Sequence, residues 1–67
     1  MDERTILAIY ELMAEVARHQ AEVANLAEQI GQFPNVPPFY DWLAKSAGKR
    51  AAAAQGLADW WLNENLK

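Results

Sequence analysis

At 67 residues the chain is one domain at most, and folding at this size buries only roughly 60% of the surface that the unfolded chain exposes. Small scaffolds offset that deficit with disulfides, a structural metal or oligomerisation. The sequence has no cysteine and a single histidine, His19, so a disulfide is excluded and a zinc site lacks its ligands. A net charge of -3, from nine acidic and six scattered basic residues, argues against a general nucleic-acid binder, which gathers Lys and Arg on one face.

The first predicted element runs from Asp2 to Ile30, a stretch without Pro or Gly and rich in Ala, Leu, Glu and Gln, residues that lose little on entering a helix. Asp2 is its expected N-cap, with Asp2 and Glu3 placing negative charge at the positive end of the helix dipole. Gly31 is the expected left-handed C-terminal cap. With Ile6 as position a of a heptad, the a and d positions are Ile6, Ile9, Met13, Val16, Gln20, Val23, Ala27 and Ile30, almost all apolar, and this is the expected seam. The neighbouring g positions are Leu12, His19 and Leu26, and the e positions are Tyr10, Ala17 and Ala24. So wide a stripe suits a helix with two or more neighbours. Ile6, Ile9, Leu12, Met13, Val16, Val23 and Leu26 are the residues expected to carry self-association.

The connection, residues 31–37, holds Pro34 and Pro37, with Pro38 next to it; their fixed φ makes it a stiff turn. Phe33 and Val36 are expected to fold back over the end of the helices.

A second helix is predicted over 38–63, since proline is tolerated in a first turn. Gly48 and Gly56 weaken it by about 1 kcal/mol each relative to alanine and mark where it would break. At ~100° per residue, Phe39, Leu43, Ala47, Ala54, Leu57, Ala58 and Trp61 share one side, alanine-lined in the middle and bulky at the ends. Trp42 and Trp60 stand on one edge of that side. Large aromatics ordinarily cap a bundle core, but Trp is also enriched at binding hot spots. Phe39, Tyr40, Trp42, Trp60 and Trp61 are accordingly the candidate partner-binding residues.

Short helix connections give antiparallel neighbours, with facing residue numbers that sum to about 69 when the turn centres near Pro34 and Asn35. The pattern-breakers His19, Gln20 and Arg50 then fall on one level, an expected polar layer that fixes register or oligomeric state. Arg50 is also suited to snorkelling or to holding a partner's carboxylate.

The fold class implied is all-α: an antiparallel two-helix hairpin, one domain over 1–67, pairing into a four-helix homodimer. No glycine-rich phosphate loop, zinc spacing or nucleophile-base arrangement is present, and two helices leave little room for a pocket. The chain therefore reads as non-enzymatic, with no cofactor, metal or small-molecule substrate. The expected function is a protein-protein interaction module that homodimerises and binds an unidentified partner protein, a small stoichiometric regulator or inhibitor of the type phages and mobile elements encode. The alternatives are a dimeric nucleic-acid regulator reading through Lys45, Lys49 and Arg50, and a small structural subunit of a larger complex. No stretch approaches the roughly 18 apolar residues of a membrane span, interfacial helices usually carry a Lys/Arg-rich polar face, and Asp2-Glu3-Arg4 is unlike the basic start of a secretory signal. A cytoplasmic protein without a membrane partner is expected.

Overall fold

The computed structural model describes residues 1–66; Lys67, the last residue of the expected domain, lies outside them. Two helices, α1 (Glu3–Gly31) and α2 (Phe39–Asn65), pack antiparallel as a hairpin. Both begin and end within two residues of the sequence expectation. The hairpin is a rod of 52 × 14 × 11 Å, and its radius of gyration, 15.4 Å, exceeds the ~11 Å of a compact chain of this length. A rod has little interior.

Asp2 caps α1 as its sequence implies. Its backbone is extended (φ -80°, ψ 164°) and its Oδ1 accepts the Thr5 N–H at 2.8 Å. Bonding from Thr5 to the ionised form holds the Asp2 carboxyl below its ordinary value of 3.8. The cap therefore contributes fully above that value and fades as pH falls through the lowered one.

The other end of α1 departs from expectation. Gly31 is the last helical residue and keeps a negative φ; Gln32 closes the helix in the right-handed region (φ -81°, ψ -14°). The left-handed residue is Asn35, at φ 64°. Pro34 fixes the preceding φ, and Pro followed by a residue of positive φ is the combination that a type II turn requires. Asn is among the few non-glycine residues that tolerate that region. Phe33 does not fold back over the bundle end but stays exposed, while Val36 is half-buried.

Pro38 precedes α2 as its N-cap without a side-chain hydrogen bond. The first-turn N–H groups of Tyr40, Asp41 and Trp42 instead reach the Pro37 and Pro38 carbonyls. Gly48 and Gly56 do not interrupt the helix. The favourable propensity of Ala51 to Ala54 and the packing of the buried face carry it across both.

The seam between the helices also differs from the expected one. Half-buried Ile9, Ala14 and Glu15 flank the buried or half-buried seam series of α1, which is Ile6, Tyr10, Met13, Ala17, Gln20, Ala24 and Ala27. These are the a and e positions, so the seam is rotated by about 50° from the a/d seam at 100° per residue. On α2 the matching series is Tyr40, Ala44, Ala47, Ala51, Ala54, Ala58, Trp61 and Asn65. Both series step by four and three in alternation, the 3.5-residue period of a left-handed coiled coil. Ala47 and Ala58 are 0% exposed, and no large side chain is fully buried among the described residues.

Alanine explains the rotation. Helix axes approach to the short end of the ~8–10 Å range when small side chains meet, and bulky d-position residues in the seam would hold the backbones apart. An alanine methyl contributes only about 0.8 kcal/mol against ~1.5–3 kcal/mol for a buried Leu or Ile. The internal core is thin.

Two substitutions test this geometry in opposite directions. Ala58→Leu, at a position with no free space, should lower stability to urea by about 1–3 kcal/mol through overpacking. Gly56→Ala, where an added Cβ meets nothing within 4 Å, should raise it by about 0.5–1 kcal/mol. An Ala58→Leu chain as stable as the parent would contradict the close approach.

Candidate interaction surface

Rotation of the seam leaves a second 4-3 series on α1 outside it: Ile9, Leu12, Val16, His19, Val23, Leu26 and Ile30, the d and g positions. Ile9 is half-buried and the rest are exposed, Leu12 at 67% and Leu26 at 59%. Met13 and Val16 line a shallow groove of about 150 Å³ together with Ala54 and Leu57. That groove puts the d edge of α1 and the Leu57 edge of α2 on the same side of the hairpin. Phe39, Trp42, Ala53 and Trp60 fall within about 60° of Leu57 on the helical wheel, and so do the polar residues Ser46, Arg50 and Glu64.

The exposed aliphatics of α1 and the exposed aromatics of α2 thus share one face, with the exposed His19 and Arg50 at its middle level. The opposite face carries Glu28, Asp41, Gln55 and Asp59, all exposed, with Gln55 Nε2 donating to Asp59 Oδ1 at 3.0 Å.

The residues expected to self-associate divide. Leu12, Val16, Val23 and Leu26 are exposed on this face, and Ile9 and Met13 border it half-buried. Ile6 is not available: it is buried in the hairpin at the foot of the seam. Ile30 and Leu57, which their helical patterns assign to the internal core, are exposed on the same face. Their 4-residue offsets from Leu26 and Ala53 were the available signal, and hydropathy alone does not say which of two apolar stripes turns inward.

The aromatic residues divide as well. Trp61 is half-buried and its indole Nε1 donates to the Ile6 carbonyl at 3.0 Å, while the Trp61 carbonyl accepts from Asn65 Nδ2 at 2.8 Å. It pins the open end of the hairpin and is not free to anchor a partner. Tyr40 is half-buried in the seam, edge-on to Phe39 with ring centroids 5.4 Å apart. Phe39 also lies 5.8 Å from Trp42. Trp42 and Trp60 remain 58% and 57% exposed, one near each end of the rod.

His19, Gln20 and Arg50 share a level but are not joined. His19 Nε2 lies 3.1 Å from Glu15 Oε1, Arg18 pairs with the same carboxylate, and Arg50 donates to Ser46 Oγ at 2.7 Å. Among the described residues no hydrogen bond links the three, so a polar layer is not completed inside one chain. Gln20 is half-buried, and His19 and Arg50 are exposed. Of the basic residues near the middle of α2, Lys45 is paired with Asp41 at 3.1 Å.

Among the described residues there is no group of three His, Cys, Asp or Glu placed to hold a metal ion, and no helix long and apolar enough to cross a membrane. The groove beside Val16 is smaller than the ~300 Å³ at which ligand pockets begin. No protein-family model, curated protein or solved structure matches the chain.

The tryptophans should separate on substitution. Trp61→Phe removes a part-buried hydrogen bond and should cost about 1 kcal/mol in chemical denaturation. Trp60→Phe, measured as a dilute sample, should stay within about 0.5 kcal/mol of the parent. Equal losses would mean that Trp60 also holds the hairpin together.

Proposed function

We propose that this chain is a non-enzymatic protein-interaction module that homodimerises through its apolar face and binds a partner protein as a small regulator. The observation that supports it is the separation of small from large. Alanines fill the internal seam, while Leu12, Val16, Val23, Leu26, Leu57, Trp42 and Trp60 lie outside it on one face. Contiguous apolar patches on monomeric proteins rarely exceed about 300–600 Å², and this face runs the length of a 52 Å rod. A rigid rod of this kind acts by occlusion, covering a functional surface on its target. Trp42 and Trp60 are the anchors of the partner site, because each offers a large, well-ordered contact area. Absence of cysteine suits a cytoplasmic setting.

The nucleic-acid alternative draws less support. Lys45 is engaged with Asp41 and Arg50 with Ser46, which thins an already small basic footprint.

Light scattering of the purified chain tests the reading. The parent should have the mass of two chains at about 50 µM, and Leu12→Glu with Leu26→Glu should return it to one chain while circular dichroism still reports helix. A parent chain that is helical and monomeric at that concentration would sink the self-association reading.

A further inference from the structure

We infer that the occupant of the apolar face is a second copy of this chain, stacked with α1 of each copy over α2 of the other about a two-fold axis parallel to the helices. The inference rests on the self-association reading above and adds the arrangement. The 52 × 14 Å footprint of the hairpin gives a face of roughly 700 Å², close to the ~800 Å² per partner of a standard stable interface.

Two face-to-face stackings keep neighbouring helices antiparallel. In one, the two-fold axis runs across the helices and α1 lies on α1. In the other it runs along them and α1 lies on α2 of the second copy. Charge at the rim separates the two. The outward edge of α1 carries Glu15, already engaged by Arg18 and His19, and Glu22, while the outward edge of α2 carries Lys45, paired with Asp41, and Lys49. With α1 on α1, Glu15 and Glu22 of one copy meet Glu22 and Glu15 of the other, and the lysine edges also meet each other. Glu22 and Lys49, the two rim charges without an ion pair among the described residues, then each face a group of their own sign. With α1 on α2, the acidic edge meets the basic edge on both sides. Glu22 falls level with the gap between Lys45 and Lys49 of the second copy, since the register within the hairpin is preserved across the interface.

Glu22 and Lys49 make no ion pair within the chain among the described residues, and they lie on opposite outer edges of the hairpin, out of each other's reach. Packing agrees with the charge. At the same register Leu12 meets Leu57 and Trp60 of the second copy, and Leu26 meets Trp42. The unjoined polar level also finds its counterpart, because His19 with its Glu15 faces Arg50 across the interface. Trp42 and Trp60 sit at the rim of this dimer with one edge still outward.

Sedimentation equilibrium at low ionic strength on Glu22→Lys, Lys49→Glu and the double variant decides the arrangement, with circular dichroism as the control for folding. Each single reversal should weaken the dimer by about 3- to 10-fold, two rim pairs being altered per dimer. The double variant should return to within about 2-fold of the parent, because the pair is rebuilt with its signs exchanged. Tighter association of Glu22→Lys would show α1 on α1 and overturn the arrangement, as would single variants without effect or a double variant without rescue. A parent chain that stays monomeric would overturn the self-association reading itself.

Discussion

The alanine-lined seam of α2 is the constraint around which the larger side chains are distributed. Ala17 and Ala24 on α1 fall level with Ala51 and Ala44 on α2, whose Ala47, Ala54 and Ala58 continue the 4-3 spacing at the levels of Gln20, Met13 and Tyr10. Such a seam allows close backbone approach, but it removes little apolar area from water. The bulky residues that enter it, Ile6, Tyr10, Met13, Tyr40 and Trp61, do so toward the two ends, where the Trp61 indole also satisfies a backbone carbonyl. A hairpin built this way is specific in register and weak in hydrophobic content.

The two stripes of α1 divide the work. The a/e stripe is small enough in its middle to fold against α2, and the d/g stripe is large enough to hold a second body. Neither alone accounts for the composition, in which 52% of residues are hydrophobic yet five of the described residues are buried apolar ones. The d/g stripe shares its side of the hairpin with Phe39, Leu57 and the rim tryptophans, which gathers that surplus on one face. The opposite side carries the exposed Glu28, Gln55 and Asp59.

Much of this was legible in the residues. The absence of Pro and Gly before residue 31, the prolines at 34, 37 and 38, and Asp2 ahead of a helical run determine two helices, a stiff reversal and a cap, because each acts through local backbone chemistry. The site was legible only in part. The α1 stripe is wider than one neighbouring helix covers, but hydropathy ranks Val16 and Val23 above Ala17 and Ala24 as core, whereas the structure buries the alanines and leaves the valines more exposed. That choice depends on the alanines of the opposite helix, a tertiary fact invisible in either helix alone. Trp60 and Trp61 show the same limit: they are adjacent in sequence, and a 100° step sends one into the seam and the other to the rim. Gly31 and Asn35 differ for a related reason, since the reversal is placed by Pro34 and not by the residue with the least steric cost.

If the alanine seam is too thin to stand alone and the exposed face supplies the missing burial, folding and association are coupled. The melting temperature of the unmodified chain, followed by circular dichroism from about 1 to 100 µM, is the direct measure of that coupling. It should rise steadily with concentration, because mass action favours an associated folded state over an unassociated unfolded one. A melting temperature that is high and independent of concentration over that range would contradict the account, and would mean that the hairpin holds itself together without its apolar face.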